Sequence, residues 1–265
     1  MEQAETRLFA GLADLPRAHV AVSGGVDSLT LAEAAHRVLG ATVTMHHAVS
    51  PAVPPEATAR TRALAASRGW ALTVFDAGEF DDPRYRANPA DRCFWCKTSL
   101  YGALAAHATA QGGGVVLSGT NTDDLADWRP GLRAAEAHGV RHPFVEAGIS
   151  KALVRQLAAR FGLGAVADLP ASPCLSSRIE TGLRVEPDLL ALVHQVERHV
   201  ANVLAPSTVR CRVRAAGVVV ELDTASLAAL GARQTELAAE LLALTGRRVS
   251  FAPYRTGSAF LRGAA

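Results

Sequence analysis

The stretch Ser23-Gly24-Gly25-Val26-Asp27-Ser28 combines residue types that suit an anion. Two glycines let the backbone approach a phosphate closely, and a helix opening at Val26 would aim its first N–H groups at it. Ser23 and Ser28 add hydroxyl donors, and Asp27 can hold a magnesium ion that bridges phosphates. No lysine follows the glycines, which excludes a Walker A loop, and the spacing is not the Gly-x-Gly-x-x-Gly of a dinucleotide site. An ordinary strand-to-helix turn does not call for this combination. A second nucleotide-side loop is expected at Ser118-Gly119-Thr120-Asn121-Thr122-Asp123-Asp124. There Gly119 and Asn121 would face the nucleotide, and Asp123 or Asp124 would assist the magnesium ion. A solvated helix cap is the competing reading of that pair.

The four cysteines are too few for a disulfide framework in a chain this long. Cys93-Phe94-Trp95-Cys96 lies between an acidic, proline-containing loop and a helix expected from Cys96 to Ala110. Alone, such a pair could be a redox couple, half of a zinc site, or two buried thiols. Zinc would want four ligands, and a fourth is not obvious. Adding Cys174 gives three thiolates, which leave one iron of a 4Fe-4S cluster open and suit a sulfur-carrying iron. Cys174 is the expected reactive cysteine. It follows Pro173 in an irregular segment, with Arg178 four residues on, and nearby positive charge favours the thiolate. Cys211 falls in a predicted strand and reads as a core residue.

The elements that must position these residues alternate. Strands are predicted at His19–Ser23, Ala41–Ala48, Ala71–Asp76 and Gly114–Ser118. Helices are predicted at Val26–Leu39, Pro54–Gly69, Cys96–Ala110, Gly131–His138 and, capped by Ser150, up to Phe161. This rhythm implies an α/β fold with a parallel sheet. The segment 165–186 breaks it with Pro170, Pro173 and Gly182 and reads as a functional loop. Beyond it come a helix at Pro187–Leu204, a hairpin of Thr208–Arg214 and Val218–Leu222, a helix at Thr235–Leu244 and a strand at Arg247–Phe251. These make a smaller α+β domain, with the division expected between 185 and 186. Arg212 and Arg214 share a strand face and suit phosphate or carboxylate contacts, as do Ser177 and Arg178. A solvated edge-strand face is the alternative for the strand arginines.

Composition narrows the function class. Of 265 residues, 49% are hydrophobic and 20% charged, with a formal net charge of +2. That balance argues against a protein that coats nucleic acid. No run approaches the ~20 apolar residues of a membrane helix, and the N-terminus lacks the pattern of a signal peptide, so a cytoplasmic location is expected.

The six-residue loop resembles the pyrophosphate loop of the PP-loop ATP pyrophosphatases, which implies a HUP-type α/β domain and cleavage of ATP between its α and β phosphates. Further motifs follow in order: Asp91-Arg92-Cys93-x-x-Cys96-Lys97, Asp123-Asp124-Leu125-x-Asp127-x-Arg129-Pro130-Gly131, Ser172-Pro173-Cys174-Leu175-Ser176-Ser177-Arg178, Arg210-x-Arg212-x-Arg214 and Tyr254-Arg255-x-Gly257-Ser258. Together they resemble the LarE family, ATP-dependent sulfur transferases that build the nickel-pincer nucleotide cofactor of lactate racemase. The chain departs from the family pattern at Leu169, at Glu180-Thr181 and at Ala215-Ala216.

The resemblance implies a pyridinium-3,5-biscarboxylic acid mononucleotide as substrate, ATP and Mg2+ as co-reactants, and a homo-oligomer. A carboxylate is adenylated and then thiolated. In one branch of the family the cysteine matching Cys174 gives up its own sulfur. In another, three cysteines, here Cys93, Cys96 and Cys174, hold a 4Fe-4S cluster that carries exchangeable sulfide. The three-cysteine pattern favours the cluster branch. Competing readings are a tRNA thiolation enzyme of the same superfamily, an adenylating amide-forming ligase and a nucleotide sensor without catalysis. The first wants a basic face, the second leaves the cysteines unexplained, and the third requires ATP to bind without being split.

Overall fold

The computed structural model describes residues 1–126, 129–255 and 258. Asp127 and Gly257, each part of a motif above, lie outside the described residues. The chain divides into two compact units. The first takes Met1–Asp82 and Asp91–Ser172; the second takes Pro83–Ala90 and the described residues from Pro173 onward.

The first unit opens with α1 (Glu2–Ala13), β1 (Ala18–Ala21), α2 (Val26–Leu39), β2 (Val43–Ala48), α3 (Pro55–Arg68) and β3 (Leu72–Phe75). The short helix α4 (Pro83–Arg86) belongs to the second unit. The first unit resumes with α5 (Arg92–Ala110), β4 (Val115–Ser118), α6 (Pro130–Ala137), the single turn α7 (Pro143–Glu146) and α8 (Lys151–Arg160). Its sheet has the order β3-β2-β1-β4, and each neighbouring pair is parallel. The expected α/β architecture is therefore present. Parallel strands need helices on the faces, so the strands are apolar and buried: Val20, Met45 and Leu117 pack with Leu29 and Leu31 of α2 and Leu157 of α8.

Chain order supplies the functional geometry. From β1 the sheet grows through β2 to β3 on one side, while β4 joins β1 on the other. The two loops leaving β1 and β4 thus part in opposite directions, and the crevice at such a switch point is where open α/β sheets bind ligands. The loop after β1 is Ser23–Ser28, and the loop after β4 starts at Gly119.

The second unit contains α9 (Pro187–Leu204), β5 (Val209–Arg214), β6 (Gly217–Leu222), α10 (Thr224–Leu230), α11 (Gln234–Thr245) and β7 (Val249–Pro253). Strands β5 and β6 are antiparallel, joined through Ala215-Ala216, and β7 lies parallel to β6. A parallel neighbour needs a crossover, which α10 and α11 provide. Helix α10 was not expected from the sequence. Its start is marked by Asp223, whose carboxylate accepts from Ser226 N at 2.9 Å. Leu190, Val193, Val196 and Val200 form the buried stripe of α9. In β5 and β6 the alternation separates buried Cys211, Val213, Val218 and Val220 from the face that carries Arg210, Arg212, Arg214, Val219 and Glu221.

Candidate functional site

The loop after β1 has the conformation its glycines require. Gly24 takes φ +82°, and a Cβ there would lie 2.8 Å from the Ala57 carbonyl oxygen on α3. Arg60 of α3 donates to the Gly24 carbonyl oxygen at 2.9 Å. Gly25 is the N-cap of α2 and offers no side-chain acceptor. The first N–H groups of α2 therefore have no side-chain cap and are suited to an anion. The two serines differ from the sequence expectation. Ser28 Oγ accepts from Ser23 N at 3.0 Å, lies 3.1 Å from Ser23 Oγ and donates to the Gly25 carbonyl oxygen at 3.1 Å. They close the loop upon itself, so the backbone N–H groups are the loop's candidate anion donors.

Gly119 explains how the second loop reaches the first. A Cβ at Gly119 would stand 2.9 Å from Asp27 C and 2.9 Å from Ser28 N, so only glycine allows this approach. Asn121, buried, then donates from Nδ2 to Asp27 Oδ1 at 3.2 Å. Asn121 Oδ1 accepts from Asp123 N at 3.0 Å, and Asp123 Oδ2 accepts from Lys151 N at 3.3 Å. Lys151 Nζ donates to Asp27 Oδ2 at 2.5 Å. The expected Asp27, Asn121 and Asp123 are thus brought into one network, and Asp124 joins it by accepting from Asn121 N.

Lys151 was missed by sequence reading. It stands in the first turn of α8, after the Ser150 cap, where the helix dipole disfavours a cation. A lysine at that end of a helix needs a local reason, and the Asp27 carboxylate supplies it. Ser118, at the end of β4, contacts His142 Nδ1 at 2.8 Å and Thr120 Oγ1 at 3.1 Å. Burial holds the His142 ring below its ordinary pKa, so it is neutral near pH 7.

Helix α5 begins at Arg92, one turn before the sequence suggested. Cys93 and Cys96 are therefore three residues apart on one helical face and half-buried. Gly131 of α6 packs against this turn: a Cβ there would lie 3.0 Å from Lys97 Cγ and 3.7 Å from the Cys93 carbonyl oxygen.

The second unit presents Cys174. It is half-buried and precedes a 3-10 turn, Leu175–Arg178, whose four residues are all buried. Arg178, expected to contact substrate, is committed internally. Its Nε and Nη2 form a bidentate pair with Glu197 of α9 at 2.9 and 3.0 Å. Its Nη1 donates to the carbonyls of Pro173 and Cys174, at 2.7 and 3.2 Å, and to Ser177 Oγ at 3.0 Å. Glu197 also accepts from Cys211 N at 2.9 Å. Arg212 is likewise buried, pairing with Glu221 at 2.9 Å and donating to the Ser177 carbonyl oxygen at 3.0 Å. These arginines therefore hold the turn beside Cys174. Burial explains the difference, because a charge removed from water must be paired and hydrogen-bonded.

Arg214 sits further out. It reaches Glu221 at 3.5 Å and the Ser258 carbonyl oxygen at 3.2 Å. A cavity of about 430 Å³ opens there, lined by Arg214, Val219, Glu221, Ala252, Pro253, Arg255 and Ser258. Cys211 is buried as expected, and burial pushes its thiol pKa far up, which makes it chemically inert. Within either unit, no group of three or more His, Cys, Asp or Glu side chains among the described residues is arranged to hold a metal ion. Magnesium needs no such cage, because one or two carboxylates and the substrate phosphates suffice. No described helix is long and apolar enough to cross a membrane.

No family model matches the sequence. The chain is 34% identical over 206 residues, 77% of its length and 74% of the relative's, to the pyridinium-3,5-bisthiocarboxylic acid mononucleotide synthase of Lactiplantibacillus plantarum. The chain belongs to the LarE family. It is also similar to an uncharacterized protein of Synechocystis sp., at 42% identity over 191 residues, covering 72% of this chain and 70% of that one. A third match is shorter, 30% identity over 115 residues to an uncharacterized protein of Methanocaldococcus jannaschii, covering 43% of this chain and 44% of that one.

Proposed function

We propose that this LarE-family protein is an AMP-forming sulfur transferase that thiolates the carboxylates of a pyridinium-3,5-biscarboxylic acid mononucleotide at the expense of ATP. The observation that carries this reading is the meeting of the uncapped N-terminus of α2 with Asp27, Asn121 and Lys151 at the switch point of the sheet. The backbone N–H groups of the loop would cradle the β and γ phosphates, and Lys151 would turn from Asp27 to those phosphates. Asp27, thus released, and Asp123 would hold the magnesium ion, which would neutralise phosphate charge.

The chemistry needs this machinery because a carboxylate oxygen is a poor leaving group. The substrate carboxylate attacks the α-phosphorus, the bond to the bridging oxygen breaks, and pyrophosphate leaves with the electron pair. The mixed anhydride with AMP then accepts sulfur at its acyl carbon, and AMP departs. With Cys174 itself as donor, its thiolate forms a thioester. Removal of the Cys174 Cα proton then sends electrons to the Cα–Cβ bond and breaks Cβ–S, leaving thiocarboxylate and dehydroalanine.

Cys93 and Cys96, on one turn of α5, fit two ligands of a single cluster, and the sequence motif around Cys174 makes it the third candidate. A 4Fe-4S cluster held this way would supply exchangeable sulfide and spare the protein. The helical pairing of Cys93 and Cys96 favours this second route. The substrate's phosphate is assigned to the cavity at Arg214 and Arg255, where guanidinium groups outnumber the Glu221 carboxylate. Nucleotide products analysed after incubation with ATP, Mg2+ and the biscarboxylate mononucleotide test the reading. AMP and pyrophosphate released only with substrate are expected; ADP would contradict it.

A further inference from the structure

The segment Pro83–Ala90 is separated from the rest of the second unit by more than eighty residues of chain, yet it packs as part of that unit. Its bonds go to the stretch around and after Cys174. Tyr85, only 1% exposed, places its hydroxyl 2.7 Å from Ser176 Oγ, and Ser176 is 0% exposed. Asn88, 1% exposed, adopts φ +55° and donates from Nδ2 to the carbonyls of Glu180 at 2.8 Å and Leu183 at 2.9 Å. Its own carbonyl accepts from Gly182 N at 2.9 Å, and the Arg86 carbonyl accepts from Val185 N at 2.9 Å. The Arg86 guanidinium pairs with Glu186.

These contacts clamp residues 176–186 at both ends. The left-handed backbone of Asn88 aims its amide at two carbonyls together, and a buried amide that donates to both in this way fixes its partners. The Tyr85 hydroxyl fixes the turn two residues beyond Cys174. Arg178 and Glu197 hold the same turn from α9, so the segment 83–90 closes it from another direction.

We propose that Pro83–Ala90 is a strap that sets the conformation of the Cys174 turn, with Tyr85 and Asn88 as positioning residues for the sulfur-transfer step. This rests on the reading of Cys174 as the sulfur-handling residue. Adenylation uses the loop of the first unit and does not need the strap. Sulfur transfer does, because Cys174 must be held in place whether its own sulfur attacks the acyl carbon or binds a sulfide-carrying cluster. If Cys174 is the donor, its Cα–H and Cβ–S bonds must also be aligned for elimination. Only Asp91 and Arg92 separate the strap from Cys93, so one short piece of sequence serves both cysteine elements.

The test uses the full chain and two variants. Tyr85→Phe removes only the hydroxyl; Asn88→Gly keeps the positive φ and deletes the amide. Iodoacetamide labelling, resolved by peptide mass, reads Cys174 without any substrate, and buried Cys211 reports whether the unit stays closed. Labelling of Cys174 is expected to quicken roughly tenfold in both variants, the equivalent of one buried hydrogen bond, while Cys211 stays unlabelled. With ATP, Mg2+ and the mononucleotide, pyrophosphate released in the first turnover is expected to stay within about twofold of the parent, while thiocarboxylate formed per pyrophosphate falls roughly tenfold. Unchanged Cys174 labelling in either variant, or Cys211 labelling that rises in step, would overturn the proposal. So would first-turnover pyrophosphate and thiocarboxylate falling together. A parent protein that releases neither pyrophosphate nor AMP would remove the functional reading, while the labelling arm would still decide the strap.

Discussion

Lys151 donates to the Asp27 carboxylate across 124 residues of sequence, joining the first turn of α8 to the first turn of α2. Both residues are partly exposed, so the pair is open to exchange with an arriving phosphate and cation. An ion pair of this kind contributes little to stability on its own. Its position beside uncapped N–H groups suits it to the phosphate-binding role proposed above.

Lys151→Ala should therefore leave the melting temperature nearly unchanged and lower kcat/KM for AMP formation about a hundredfold, the scale of losing one positioned donor to transition-state charge. Asp27→Ala should abolish AMP formation. Steady-state AMP assays with parallel thermal melts check both. A Lys151→Ala protein with parental kcat/KM would remove this lysine from the site.

The two loop glycines should respond differently. Gly24→Ala puts a Cβ 2.8 Å from the Ala57 carbonyl oxygen at φ +82°, a strain of about 1–3 kcal/mol in the loop. Gly25→Ala meets only Ser23 Oγ at 3.6 Å. ATP affinity measured by calorimetry should fall for the first substitution and hold for the second. Equal losses would mean that a feature other than backbone shape controls the loop.

Cys174→Ala should keep substrate-dependent pyrophosphate release and form no thiocarboxylate. Cys211→Ala should form both. Mass analysis of the nucleotide product separates them, and thiocarboxylate from the Cys174→Ala protein would move the sulfur chemistry elsewhere.

Acid should weaken the first unit through a buried histidine pair. His19 Nδ1 and His46 Nε2 are 3.0 Å apart in neighbouring strands, and His46 Nδ1 is buried without a partner among the described residues. Burial, with His19 and His107 nearby, pulls His46 from 6.5 down to about 4, and burial lowers His19 too. The neutral rings are the folded form. Their contribution is fully present above about 6.5 and is lost as pH falls toward about 4, because the unfolded chain takes up the protons first. The melting temperature should drop between pH 7 and pH 4.5. His46→Leu should flatten that drop; a slope unchanged by the substitution would exonerate the pair.

Much of this was legible in the sequence. Helices α2 and α9 lie at the predicted Val26–Leu39 and Pro187–Leu204, because their apolar spacing and their Gly40 and Pro187 boundaries are local signals. The Gly-Gly loop was legible for the same reason. The arginines were not. Arg178 and Arg212 have the residue type of ligand contacts, but Glu197 and Glu221 take their charges, and those partners follow only from how α9 and β6 pack. The start of α5 was missed although Asp91, a residue type favoured at helix starts, stands at its N-cap; its side chain makes no cap bond there. The strap was hidden too. Its Asp- and Pro-rich surroundings read as a loop, and its order comes from carbonyls ninety residues away.

The most direct test is a single incubation of anaerobically purified protein with ATP, Mg2+ and the pyridinium biscarboxylate mononucleotide. AMP, pyrophosphate and the nucleotide product would be quantified together, and the intact protein weighed. AMP and pyrophosphate formed in step with a product carrying sulfur in place of a carboxylate oxygen are expected. A protein lighter by hydrogen sulfide at Cys174 would identify it as the donor; unchanged mass with iron and labile sulfide present would assign the donor to a cluster. AMP formed with no sulfur in the product, or ADP in place of AMP, would contradict sulfur transfer as the function of this site.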